Sequence, residues 1–132
     1  MAKATKTKQL VFSEANRVGL LAEISATLAA GEVNITSLCA YHMNDIAHFM
    51  MLTDNNAKAK RVLKKMDMQA KYEPVVVIEM PNKVGELEKV SAILAEAGID
   101  IHYIYGTAGA KRSTFCVLKT DKDTKAVKVI NK

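Results

Sequence analysis

Residues 16–38 read NRVGLLAEISATLAAGEVNITSL and residues 82–104 read NKVGELEKVSAILAEAGIDIHYI, two versions of one pattern set 66 positions apart. Nine pairs are identical: Asn16/Asn82, Val18/Val84, Gly19/Gly85, Leu21/Leu87, Ser25/Ser91, Ala26/Ala92, Leu28/Leu94, Ala29/Ala95 and Ile35/Ile101. Arg17/Lys83, Ile24/Val90, Val33/Ile99 and Asn34/Asp100 keep their chemistry, and at the same offset Phe49 answers Phe115. Such self-similarity marks a duplication, and each copy is then one structural unit.

Within the copies, Leu21, Ile24 and Leu28, and likewise Leu87, Val90 and Leu94, recur at spacings of three and four that place them on one helical face. Gly31 and Gly98 close these helices. They stand one position out of step under the 66-residue offset, so the two helix-to-strand turns are expected to differ. Upstream, Leu10-Val11-Phe12 and the β-branched run Val75-Val76-Val77-Ile78 predict strands over 8–13 and 74–80. Downstream, strands are expected over 34–43 and 46–53 in the first copy, and over 100–106 and 113–120 in the second. Asn44-Asp45 and Ala108-Gly109-Ala110-Lys111 would supply their hairpin turns. Thr53-Asp54-Asn55-Asn56 then introduces an amphipathic helix over 57–66, with Ala59, Val62, Leu63 and Met66 opposite Lys58, Arg61, Lys64 and Lys65. Its counterpart over 124–131 is shorter.

Each copy therefore reads β-α-β-β-α-β: an α+β chain of two ferredoxin-like units, with antiparallel sheets and helices on one face. The units are expected at 1–72 and 73–132, the last strand of the first, 68–72, running almost without a loop into Val75. The second unit ends where its last strand should begin. Its open sheet edge would need strand exchange between units, or dimerisation, to cover it.

At 132 residues, two such units are each near the lower limit for an independent core, so the halves are expected to lean on each other. A hydrophobic fraction of 49% with 25% charged residues is globular composition. With 5% aromatics and no Trp, the core must be built from Val, Ile, Leu, Met and Ala. The basic start MAKATKTK precedes no apolar signal segment, and no run approaches the roughly 18 apolar residues needed to span a bilayer. A cytoplasmic protein is the expectation. Cys39 and Cys116 lie in apolar strand-like stretches without a CxxC companion, which points to buried reduced thiols rather than a disulfide or metal site.

A strand, then N-R/K-x-G-x-L, an amphipathic helix, and G-x-x-N-I or G-I-D-I leading into the next strand resembles the ACT domain, the small-molecule-sensing module of amino-acid-metabolic enzymes. The resemblance covers about residues 8–130 and is of the free-standing tandem kind, with no enzyme attached. In that family a Pro commonly precedes the loop Gly; here Val18 and Val84 stand there, removing a preset φ angle at the helix start. The resemblance implies amino-acid binding at the loop after the first strand, where two domains meet. It also implies a homodimer and a partner enzyme of amino-acid metabolism.

The residues support that chemistry on their own account. Gly19 and Gly85 let a ligand approach the backbone, and the first N–H groups of each helix, around Gly19 to Leu21 and Gly85 to Leu87, lack intrahelical acceptors and suit a carboxylate. The candidate ligand residues are Asn16, Arg17, Val18, Gly19, Leu20 and Leu21 in the first loop, and Asn82, Lys83, Val84, Gly85, Glu86 and Leu87 in the second. Asn34, Ile35, Asp100 and Ile101 join them from the second strands, Asn34 and Asp100 to accept from an ammonium group. The plainer reading makes Asn16 and Asn82 helix caps and the glycines packing residues. The loops are unequal: Glu86 replaces Leu20, and a carboxylate there would itself occupy the helix N-terminal field. The ligand carboxylate is therefore assigned to the first loop.

His42, Asp45 and His48 lie close in sequence but straddle a hairpin turn, and three or four converging ligands are needed to hold a metal, so no metal site is assigned. A net charge of +5, with Lys58, Lys60, Arg61, Lys64 and Lys65 on one helix and Lys119, Lys122, Lys125, Lys128 and Lys132 near the C-terminus, raises nucleic-acid binding. The aromatic signature of RNA-binding sheets is missing, and solvated helix faces account for the charge. Tyr41, Tyr103 and Tyr105 are half-buried strand residues or pocket walls, and the methionines fill core gaps. No triad order, phosphate loop or dinucleotide fingerprint emerges. The sequence thus predicts a non-catalytic, cofactor-free amino-acid sensor, with a ligand-free assembly module as the alternative.

Overall fold

A computed structural model describes residues 1–108 and 112–132. The second hairpin turn expected at Ala108-Gly109-Ala110-Lys111 lies largely outside the described residues. In chain order the elements are β1 (Lys3–Ala15), α1 (Leu20–Ala30), β2 (Ile35–Met43), β3 (Ile46–Thr53), α2 (Asn56–Lys64), β4 (Lys71–Pro81), α3 (Glu86–Glu96), β5 (Ile101–Ala108), β6 (Ser113–Thr120) and α4 (Asp123–Ile130).

One compact unit is Lys8–Glu73. Its β3 pairs antiparallel with both neighbours: Leu10 and Phe12 of β1 lie opposite Met51 and Phe49, and Leu38 and Ala40 of β2 oppose the same two residues from the other side. Leu20, Ile24 and Leu28 of α1, with Ala59 and Leu63 of α2, close over Leu10, Phe12, Phe49 and Met51. Leu10, Ile24, Leu28 and Met51 are fully excluded from solvent, each such burial contributing about 1.5–3 kcal/mol. Phe12 and Phe49 stack with ring centroids 5.0 Å apart. Asn55 caps α2 by accepting from the Lys58 N–H at 3.0 Å.

The other unit is Pro74–Lys132 together with Met1–Thr7. The boundary expected at 72/73 therefore falls inside β4, and the opening residues belong with the second copy. The sheet order runs β1-β4-β6-β5 here, with Ile78 opposite Cys116 and Ile104 opposite Leu118. Ala4 sits in the core built from Val76, Ile78, Val90, Leu94, Leu118 and Ala126. The fourth strand missing from the end of the second copy is thus supplied by Lys3–Thr7, which settles the open edge by strand exchange.

Two expectations are corrected. Phe115 does not answer Phe49: Phe49 is buried and Phe115 is half exposed. β2 and β5 begin 66 positions apart, but β3 and β6 begin 67 apart, so the offset slips within the hairpin and Cys116 takes the place of Phe49. Asn44 and Asp45, both at positive φ, make a two-residue turn of the I′ kind in the first copy. Secondly, the helix-to-strand turns do not differ. Glu32 N–H donates to the Ala29 carbonyl and Val33 N–H to that of Leu28; Gly98 and Ile99 repeat both bonds on Ala95 and Leu94. Each is a Schellman turn whose left-handed residue is Glu32 in one copy and Gly98 in the other. Gly31 has another duty, because a Cβ there would come 2.8 Å from Val62 Cγ2.

Candidate functional site

Gly19 (φ +85) and Gly85 (φ +89) are the N-cap residues of α1 and α3, and no side chain caps either helix. Asn16 and Asn82 are therefore not caps. At α1 the Leu20 N–H reaches the Arg17 carbonyl at 3.3 Å, and the helical ladder starts with Glu23 N–H on the Gly19 carbonyl at 3.0 Å. Among the described residues, no protein acceptor answers the N–H groups of Gly19, Leu21 and Ala22. Gly19 holds a left-handed conformation that a residue with a Cβ adopts only under strain, and the first helical N–H groups have no intrahelical acceptor.

Beside them lies a cleft of 280 Å³ within the first unit. Of the predicted residues, Asn16, Arg17, Gly19, Leu20 and Leu21 line it. Ala22, Ala40, Tyr41, His42, Ala47 and Phe49 complete it. Ala40, Ala47 and Phe49 lie on the helix-facing side of the β2–β3 hairpin and make an apolar floor. Strand alternation held the signal for these missed residues: small Ala40 and Ala47 flank Phe49 on one face. Arg17 forms an ion pair with Glu23 in the first turn of α1, leaving other guanidinium donors at the rim.

Val18 is fully exposed at the loop tip, as is Val84, and neither wall is theirs. Asn34 and Ile35 lie outside the cleft, at the opposite end of β2 from Tyr41 and His42. An antiparallel hairpin carries the start of β2 toward the C-terminal end of α1, some 20 Å from the loop at about 3.3 Å per residue. Asn34 is instead tied through its backbone to Asp54, and Asp100 to Asp121, while Ile35 and Ile101 pack against their cores. Asn34 and Asp100, expected to accept from an ammonium group, thus stand away from the first-turn N–H groups of α1 and α3.

In the second loop, Glu86 occupies the place of buried Leu20, its side chain only 14% exposed and 3.5 Å from Lys89. Asn82, Lys83 and Leu87 are exposed around it. His42 and His48 face opposite sides of the sheet, His48 stacking on Tyr41 at 5.1 Å and bonding Ser13 at 2.9 Å, so they do not converge with Asp45. Burial raises the Cys116 thiol above its ordinary value. No helix among the described residues is long and apolar enough to cross a membrane.

A sequence model of the ACT domain pair matches residues 5–132. The chain belongs to the ACT domain pair family. Among solved structures, this ACT pair is similar to protein BT0572 from Bacteroides thetaiotaomicron, at 28% identity over 97% of this chain and 88% of that one, with a TM-score of 0.90. It is also similar to the ligand-free regulatory subunit of aspartate kinase from Thermus thermophilus, at 12% identity over 94% and 90% of the two chains and a TM-score of 0.67. For aspartokinase alpha and beta subunits the values are 13%, 98%, 95% and 0.63. At the last two identities the common property is the fold. No curated protein matches the chain.

Proposed function

We propose that this ACT pair is a non-catalytic sensor that binds an amino acid in the first-loop cleft and, as a homodimer, uses the bound ligand to shift its own association or the activity of a partner enzyme. The observation that carries the reading is the set of unanswered N–H groups at Gly19, Leu21 and Ala22 beside a cleft floored by Ala40, Ala47 and Phe49. A carboxylate suits those donors and the positive end of α1. The floor suits an uncharged side chain, since an ionised one would lose its hydration there without a partner. Family membership and the likeness to a regulatory subunit support regulation over catalysis.

The ligand can bias an equilibrium between arrangements only by its differential affinity for them. A thermal-shift screen against the twenty amino acids tests the reading. One stabilising amino acid is expected, with an effect near 2.7 kcal/mol at about one hundred times its Kd. Silence across the panel, together with partner capture independent of ligand, would replace the sensor with a ligand-free assembly module.

A further inference from the structure

The second unit holds a different cleft, of 410 Å³, whose walls bring together three cations from separate parts of the chain: Lys3 at the start of β1, Lys83 in the loop after β4, and Arg112 just before β6. Ser113 and Glu79 also line it, the Ser113 hydroxyl donating to the Glu79 carboxylate at 3.1 Å. Among the described residues, none of the three cations is in an ion pair or gives a side-chain hydrogen bond, and Glu79 is the sole carboxylate on the walls.

Comparison with the first copy shows that the charge at Arg112 is not inherited. Asn16 N–H donates to the Asp45 carbonyl at 2.9 Å, and Asn82 N–H to the Arg112 carbonyl at 2.6 Å, so Arg112 stands at the backbone position of an aspartate. Arg17 is neutralised by Glu23; at the 66-residue offset Glu23 is replaced by Lys89, which pairs with Glu86, so Lys83 has no equivalent partner. The first change adds a cation to the cleft wall and the second removes the partner that Lys83 would have had, leaving Glu79, held by Ser113, as the only carboxylate on the walls among the described residues.

We propose that this cleft is a second ligand site, for a small dianion carrying either a phosphate group or two carboxylates. Arg112 would grip one anionic group through paired N–H donors, with Lys83 and Lys3 as point charges beside it. Glu79 bars access to the Ser113 hydroxyl, so the ligand lies on the cationic side.

Isothermal titration of the full chain with inorganic phosphate and with succinate tests it. Saturable binding of at least one anion is expected near 1 mM or tighter, a value of about −4 kcal/mol, weakening as salt is raised. Arg112→Asp, which installs the first copy's residue, and Lys83→Ala should each weaken it at least tenfold. Phosphate alone would identify a phosphorylated ligand, and succinate alone a dicarboxylate. The proposal falls if neither anion saturates, if both variants bind as well as the parent chain, or if Gly19→Asp abolishes the binding while Arg112→Asp does not. That last pattern would move the anion to the first loop.

Discussion

Asn131 and Ala4, 127 positions apart, are joined by two hydrogen bonds: the Ala4 N–H donates to Asn131 Oδ1 at 2.7 Å, and Asn131 Nδ2 donates to the Ala4 carbonyl at 2.8 Å. One side chain at the end of α4 thereby answers both backbone groups of a buried residue on the exchanged strand. Asn131→Ala strands both groups and should cost about 1–3 kcal/mol in urea unfolding. Asn131→Asp keeps the acceptor alone and should fall between. An unchanged midpoint for Asn131→Ala would mean that the opening segment does not hold the second unit together.

The slipped hairpin register gives a direct contrast. Phe49→Ala removes a stacked, buried ring and should cost about 3–5 kcal/mol, whereas Phe115→Ala, at a half-exposed position, should stay within about 0.5 kcal/mol. Equal losses would restore the simple 66-residue correspondence.

Glu32 holds a left-handed conformation, φ +58, that Gly98 holds in the other copy at +69. Glu32→Gly should gain about 0.5 kcal/mol and Gly98→Ala lose about 1 kcal/mol, since only glycine adopts that region without steric cost. Chemical denaturation of the two variants checks both signs.

Asp123 fastens Thr120, accepting from its hydroxyl at 2.6 Å and its N–H at 3.0 Å, and pairs with Lys119 at 2.9 Å. Burial pushes its carboxyl upward, but the hydrogen bonds from Thr120 and Lys119 and the Lys119 charge outweigh it, so the folded value is lowered. Its stabilisation is therefore complete above the unfolded value of about 3.9 and lost as pH falls through the lower folded value. Asn56, bonded alike to Thr53 in the first copy, shows that an amide fits. Asp123→Asn should fold, and its unfolding midpoint should change less below about pH 4 than that of the parent chain.

For the ligand, Gly19→Asp and Gly85→Asp form a matched pair, because both glycines have left-handed φ angles and open space where a Cβ would stand. Each should cost about 1–2 kcal/mol of stability. Only Gly19→Asp should abolish the thermal shift with amino acid, by setting a carboxylate against the donors of α1. Loss in Gly85→Asp alone would move the site to the second loop.

Element order and type were readable because each rests on local chemistry. The apolar spacing of Leu21, Ile24 and Leu28, and the bounds of β3 and β6, needed no partner to be recognised. Half of the first-loop cleft was readable too, since Gly19 and its neighbours sit in one short stretch. Ala40, Ala47 and Phe49 were missed, and Asn34 was included, because nearness along a strand says nothing about which end of it meets the loop.

The duplicated stretch at 16–38 and 82–104 determined that the chain is two βαββαβ units with a glycine turn opening each first helix; periodicity and turn chemistry are properties of neighbouring residues. That Lys3–Thr7 completes the second unit, that Glu32 and Gly98 share one turn, and that Asp45 and Arg112 occupy one backbone position are long-range facts. They follow from which apolar faces and unpaired strand edges are satisfied together, and that depends on the packed whole.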